Sequence, residues 1–228
     1  MRPVSHDLRF EMLRNRLFAE YLGTATIVAT VVGSGIMATN LSTDVGIQLL
    51  INTVATVFTL YIAITLLGPI SGAHFNPLVS LIAAYKKDLK ISESLGYIGS
   101  QFAGGLIGVA LANLMFELPA LTASTHIRSG GHLYLSEVIA TAGLIFIIFA
   151  ALDQKREKKI PNLVACWIGA AYFFTSSTSF ANPAITIGRV FSDTFAGIAP
   201  SSVLPFIVAQ LVGATIGLFV VKSIAKVK

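Results

Sequence analysis

The residues of this chain whose chemistry could act on another molecule are few, and most come in pairs. Asn76-Pro77 and Asn182-Pro183 each sit in a copy of one phrase, Ser-Gly-Ala-His-Phe-Asn-Pro-Leu at residues 71–78 and Ser-Thr-Ser-Phe-Ala-Asn-Pro-Ala at residues 177–184. Glu20 is answered by Glu137, and Gln101, Gly104 and Gly108 by Gln210, Gly213 and Gly217. A carboxylate in apolar surroundings is a functional candidate by default, and it has two uses. It can relay protons, or it can accept hydrogen bonds from loop amides that have no other partner. The second is the stronger reading for Glu20 and Glu137, and the two glutamines invite the same judgement. His74, two residues before Asn76, either lines a path and responds to pH or holds the loop by hydrogen bonds; the latter is the simpler role. His126 and His132 have no flanking carboxylate or thiol cluster, so no metal is expected, and no motif supports a cofactor or an enzymatic activity. Cys166, the single cysteine, lies in an apolar run and reads as a buried structural thiol with no disulfide partner.

The elements that must position these residues follow from the two phrases. Proline suits the first helical position because no amide donor is needed there, so each Asn-Pro marks a helix start. The apolar run after each is about three turns long, and each lies between long apolar segments. Two short helices therefore begin inside a membrane, where irregular backbone is tolerated only if it is buried in protein or faces a water-filled cavity. Broken segments in corresponding halves point to a pathway at the midplane.

Composition agrees. The chain has 228 residues, 54% apolar and 12% charged, with a mean hydropathy of +0.78. The charged fraction of a soluble domain is about twice that. The arginines before the first apolar run resemble a signal peptide, but that run is long enough to span, contains Glu20 and lacks a convincing cleavage site, so it reads as a retained helix. Six stretches approach the length of about 20 residues needed to cross a bilayer: 17–39, 46–67, 92–116, 133–152, 161–178 and 202–222. The order is span, span, half-helix, span, repeated once. A repeat with three spans per half must be inverted in the membrane, so the half-helices enter from opposite faces and meet N-terminus to N-terminus. The fold expected is an all-α membrane protein of six transmembrane helices and two re-entrant half-helices. It forms a single domain over residues 1–228, with inverted repeats at about 17–116 and 133–222.

Fourteen of the sixteen Lys and Arg residues fall on one side of this topology; Arg128 and Arg189 are the other two. Positive charge accumulates in cytoplasmic loops, so both termini are expected in the cytoplasm of a cell whose inner (plasma) membrane holds the chain. The net charge of +5 is thus a matter of topology, with no nucleic-acid partner implied. The cluster at residues 155–159 is either a solvated loop or a contact with anionic lipid.

The doubled Asn-Pro box, the Ser71-Gly72-Ala73-His74 lead-in, the six spans and the paired glutamates together resemble the aquaporin and aquaglyceroporin family over essentially the whole chain. The resemblance implies a homotetramer with one pore per chain. Asn76, Pro77, Leu78, Asn182, Pro183 and Ala184 would then stand at the pore centre, with the asparagine amides offered to the permeating molecule. Leu78 departs from the usual alanine and is expected to alter packing between the half-helices. The family's filter arginine normally follows the second alanine, yet Ile185 stands there. Counting from the boxes, the other filter positions fall at Thr56, Ala170 and Ser179. A filter of these four is wide, mildly amphipathic and without its fixed cation. It implies passage of glycerol-like polyols, urea, neutral metalloids such as arsenous acid, and water, a pattern that looks closest to the arsenic-associated bacterial aquaglyceroporins. Arg189, one turn beyond Ile185, either guards the outer mouth or pairs with Asp193 or loop carbonyls. Tyr172, Phe173 and Phe174 read as packing residues. Other classes remain open from sequence: a proton-coupled transporter using Glu20 or Glu137, an ion channel, and a water-selective pore.

Overall fold

The computed structural model describes residues 6–225, and its elements are the α-helices α1 (His6–Leu41), α2 (Val45–Ser71), α3 (Pro77–Tyr85), α4 (Ile91–Met115), α5 (Gly131–Asp153), α6 (Ile160–Phe174), α7 (Pro183–Gly188) and α8 (Pro200–Ala225), with short 3-10 helices at Glu157–Lys159 and Arg189–Phe191. Arg2, Lys226 and Lys228, counted in the charge asymmetry above, lie outside the described residues. Among the described residues, α1, α2, α4, α5 and α8 are long and apolar enough to cross a membrane. The fifth expected span, 161–178, is shorter than the sequence suggests: α6 has 15 residues and stops at Phe174. It stops there because the next residues find other partners. Thr175 Oγ1 bonds the Ala171 carbonyl, the Ser176 amide donates to Ser136 Oγ, and Ser177 Oγ donates to Glu137. Short hydroxyl side chains that satisfy nearby backbone compete with helix continuation in this way.

The helices pack in two matching sets, α1 against α4 and α5 against α8. Burial of apolar area cannot hold helices together in lipid, so close van der Waals approach at small residues does it. A Cβ at Gly104 or Gly108 would collide with the carbonyls of Tyr21 and Ala25, and one at Gly213 or Gly217 with those of Val138 and Ala142. The recurring Gly-x-x-x-Gly spacing is therefore a pair of backbone-to-backbone seams. Asn52 adds a polar tie between α1 and α2, donating to the Val31 carbonyl at 2.8 Å and to Ser34 Oγ at 2.9 Å.

The re-entrant loops need a different kind of support, because much of their backbone is strained. Ala73, Phe75, Thr178, Ser179 and Ala181 have φ of 50°, 48°, 61°, 53° and 48°. Non-glycine residues in the left-handed region cost about 1–3 kcal/mol each and persist only where their surroundings dictate them. The surroundings here are the two glutamates, both fully buried. Glu20 accepts from Ser71 Oγ at 2.6 Å, the His74 amide at 2.9 Å, the Phe75 amide at 2.7 Å and Gln101 Nε2 at 2.8 Å. Glu137 repeats the set with Ser177 Oγ at 2.6 Å, the Phe180 and Ala181 amides at 2.9 Å each and Gln210 Nε2 at 2.7 Å. Hydrogen bonds to a charged group contribute about 1.5–3 kcal/mol each, the same order as the strain they offset.

Two predictions test this scaffold. Gly104→Ala should lower the thermal unfolding midpoint in detergent, since overpacking costs about 1–3 kcal/mol. Gly99→Ala in the same helix, where an added Cβ meets nothing within 4 Å, should leave it unchanged or raise it. Glu137→Ala should be more damaging still, because it orphans two loop amides at once, each at about 1–3 kcal/mol; loss of folded protein on size-exclusion chromatography is the readout.

Candidate functional site: a cavity between the half-helix ends

Each half-helix is started by its asparagine. The Asn76 carboxamide oxygen caps α3 by accepting from the Leu78 amide, and that of Asn182 caps α7 by accepting from the Ala184 and Ile185 amides. Pro77 and Pro183 stand at the first helical positions, where a missing amide costs nothing. The carboxamide nitrogens then cross over: Asn76 Nδ2 donates to the Ala181 carbonyl at 2.8 Å, and Asn182 Nδ2 to the Phe75 carbonyl at 2.7 Å. The two N-termini thus face each other and are locked by reciprocal bonds. Each Nδ2 carries two hydrogens, and both asparagines border one cavity, so a second donor on each remains for whatever enters. Two helix N-termini aimed at one point also make it positive.

That cavity measures about 490 Å³ and is lined by both halves of the chain, with Lys86 and Asp153 toward one end and Ile185 and Arg189 toward the other. One wall is aliphatic, with Ile27, Leu60, Ile64, Leu144, Ile148 and Ile168. His74 borders it on the approach to Asn76, with Nδ1 3.0 Å from Ser80 Oγ and its ring edge-on to Tyr97. Leu78 is buried beside the cavity, in a cluster with Val79, Ile82, Tyr97 and Ile145. Ala184 is buried at the same depth of the second half.

Past the asparagines, Thr56, Ser179 and Ile185 all border the cavity. Ala170 does not. It lies on the exposed face of α6, and Tyr172 stands in the wall instead, its hydroxyl 3.4 Å from Thr56 Oγ1. The miscount is one of helical phase: two residues rotate a side chain by about 200°, which exchanges the inner face for the outer. Tyr172 reads from sequence as a packing residue, and its place in the cavity wall corrects that. The signal against that was its hydroxyl, since a phenol in an apolar interior needs a polar partner. Phe173 and Phe174 are exposed, as is Cys166 on the same helix, so the expected buried thiol is corrected. An apolar run in a membrane helix can face lipid as readily as core. Ser179 Oγ is buried with no hydrogen-bond partner among the described residues, which leaves it free for a solute.

Arg189 is buried and borders the cavity too. It does not pair with Asp193. Its Nε donates to the Ala196 carbonyl, and the guanidinium carbon lies 3.4 Å from the centroid of the Phe180 ring. Phe180 is backed edge-on by Phe206 and flanked by Arg128, which donates to the Gly197 and Phe195 carbonyls. Burial pulls Arg128 down to about 10, so it stays charged at neutral pH. Asp193 instead holds the outer loop: the Thr125 amide, 2.8 Å away, keeps its carboxyl below the usual carboxylate range. His126 and His132 are exposed, and among the described residues no three His, Cys, Asp or Glu side chains gather as a metal site.

Comparison with known proteins agrees with this architecture. The family model described as major intrinsic protein matches residues 8–180. The chain is 48% identical over 206 residues to aquaglyceroporin AqpS of Rhizobium meliloti (strain 1021), covering 90% of this chain and 88% of that one. It is 29% identical over 152 residues to aquaporin NIP3-1 of Arabidopsis thaliana, 62% of this chain and 46% of the plant protein. Among solved structures, the aquaglyceroporin from Plasmodium falciparum superposes with a TM-score of 0.66 at 18% identity, over 94% of this chain and 98% of that one, which is a likeness of fold. The chain belongs to the major intrinsic protein family, and is a membrane channel for small solutes rather than an enzyme.

Proposed function

We propose that the cavity conducts small uncharged solutes larger than water as well as water itself: glycerol-like polyols, urea and neutral metalloids such as arsenous acid. The observation that carries this reading is the make-up of the throat. Thr56, Tyr172 and Ser179 present hydroxyls, while Ile185 presents an aliphatic side chain where the family has its arginine. A polyol or a hydroxylated metalloid offers hydroxyls on one side and an apolar or weakly polar surface on the other, and such a wall serves both. With Tyr172 in place of Ala170 the throat is narrower and more polar than four small residues would make it. Arg189 supplies a cation about one turn, or ~6 Å, beyond Ile185, held flat against Phe180 rather than reaching across.

The two halves act as inverted repeats within one channel domain, at about residues 17–116 and 133–222. The charge asymmetry puts both termini on the cytoplasmic side of the inner (plasma) membrane. The exposed apolar faces, Leu66 and Phe219 among them, meet lipid and the neighbouring copies of a homotetramer. A proton-coupled transporter is disfavoured on geometry. Glu20 and Glu137 are each saturated by four donors, and neither borders the cavity.

Stopped-flow light scattering on proteoliposomes, with water, glycerol, urea and arsenite in turn, tests the reading. The native channel should pass glycerol and arsenite well above protein-free vesicles. Ile185→Arg should cut both by about tenfold, a barrier increase of ~1.4 kcal/mol, and cut water less. Flux of water alone in the native protein would overturn the reading in favour of a water-selective pore. Arg189→Ala should alter solute rate or selectivity if the guanidinium guards the mouth, and an unchanged series would leave it a purely structural support for the Ala196 turn. Tyr172→Ala should raise glycerol flux relative to water, whereas Ala170→Tyr, on the outer face, should change neither.

A further inference from the structure

The end of the bundle where α3 stops and α6 begins carries a charge arrangement that permeation does not use. Between the last residue of α5, Asp153, and the first of α6, Ile160, four positions are cations: Lys155, Arg156, Lys158 and Lys159. All four are exposed. The ion pairs among the described residues are Arg16 with Glu93 and Lys86 with Asp153, so none of the four has a carboxylate partner. The other members of the stretch behave differently: Asp153, Glu157 and Ile160 border the mouth of the cavity. Asp153 Oδ1 lies 2.7 Å from Nζ of Lys86, which caps the C-terminus of α3 and sits over the Phe149 ring. The segment thus has a cationic outer face and an inner face latched across the mouth to the opposite half of the fold.

The cations stand immediately outside the ends of two membrane helices, with Leu163, exposed to the apolar surroundings, less than a turn into α6. That is the level of lipid phosphates, and clusters of four or more Lys and Arg in this position are drawn to anionic headgroups. Topology accounts for the sign of this loop, and the missing carboxylate partners leave all four charges available to such headgroups. We propose that residues 154–159 form a docking surface for anionic phospholipid headgroups, and that docking widens the cavity mouth by drawing the segment away from Lys86. This rests on the channel reading above and on the orientation that puts this end at the cytoplasmic leaflet. Attraction of the outer face toward the membrane pulls Asp153 and Glu157 outward with it, and the one ion pair that spans the mouth is what yields.

The experiment uses the full-length chain and the quadruple variant K155Q/R156Q/K158Q/K159Q, with matched thermal unfolding as the check that both fold. Each is reconstituted in phosphatidylcholine vesicles and in vesicles containing roughly a third phosphatidylglycerol, an anionic surface of the strength that attracts such clusters. Glycerol flux per native channel should be at least about twofold higher with the anionic lipid, and the difference should vanish in the variant and in 1 M salt, where screening reaches only about 3 Å. Asp153→Asn should be fast in both lipids. Bound lipid is counted separately by native mass spectrometry in detergent, a readout that needs no permeation: the native protein should keep phosphatidylglycerol adducts that the variant loses. A protein that passes no glycerol in any vesicle would refute the channel reading while the adduct count still judged the docking surface. Equal adducts on native and variant protein would overturn the proposal, and so would equal native flux in the two lipids. Equal adducts together with selective binding of a soluble acidic peptide by the native protein would assign the cations to a soluble partner instead.

Discussion

The structure depends on two buried carboxylates that each hold a loop the chain would not otherwise adopt. The stretches before Asn76 and Asn182 turn sharply inside a membrane, with several non-glycine residues in left-handed backbone. Helix dipoles, cavity walls and asparagine positions all follow from where those turns place α3 and α7. Nothing in lipid would solvate the loop amides, so the four bonds accepted by Glu20 and the four accepted by Glu137 are the condition for the half-helices to exist. The cost of placing a charge there is met by the same donors, which explains why each glutamate has a glutamine, Gln101 or Gln210, as its side-chain partner from a third helix.

From that constraint the conducting geometry is assembled in steps. The glycine seams bring α1 to α4 and α5 to α8 closely enough for the glutamates, glutamines and loops to meet. The loops aim both N-termini at one point, and the crossed bonds from Asn76 to Ala181 and from Asn182 to Phe75 fix their separation. The cavity that remains is aliphatic along one side and carries donors and acceptors along the other. On the reading proposed above, selectivity is a local matter of the throat, where the Tyr172 hydroxyl lies 3.4 Å from Thr56 Oγ1 and Ile185 stands without a charge. The outer cation comes from Arg189, steadied by an aromatic face and a carbonyl rather than by a carboxylate.

Much of this was legible in the sequence because it is written twice. Asn-Pro announces a helix start by cap chemistry alone, and its recurrence beside matched Glu, Gln and Gly residues exposes the paired architecture without any coordinates. What was not legible depended on rotation or on long-range partners. Ala170 and Tyr172 differ by two positions, and only the true end of α6 at Phe174 sets which of them turns inward. Cys166 could not be oriented from hydrophobicity, since lipid-facing and core-facing positions read alike. The partner of Arg189 is a backbone carbonyl seven residues on, one of the two kinds of partner the sequence allows, in a turn whose path no local pattern dictates.

On the proposed reading the molecule is a passive pore for neutral solutes, its buried carboxylates serving structure and not proton transfer. Glycerol entry into proteoliposomes, followed as a function of concentration with and without an imposed pH gradient while membrane current is recorded, tests it most directly. The account requires entry that rises linearly with concentration, ignores the gradient and carries no macroscopic current. Entry that saturates at low concentration and stops when the gradient is collapsed, or that is accompanied by current, would contradict it.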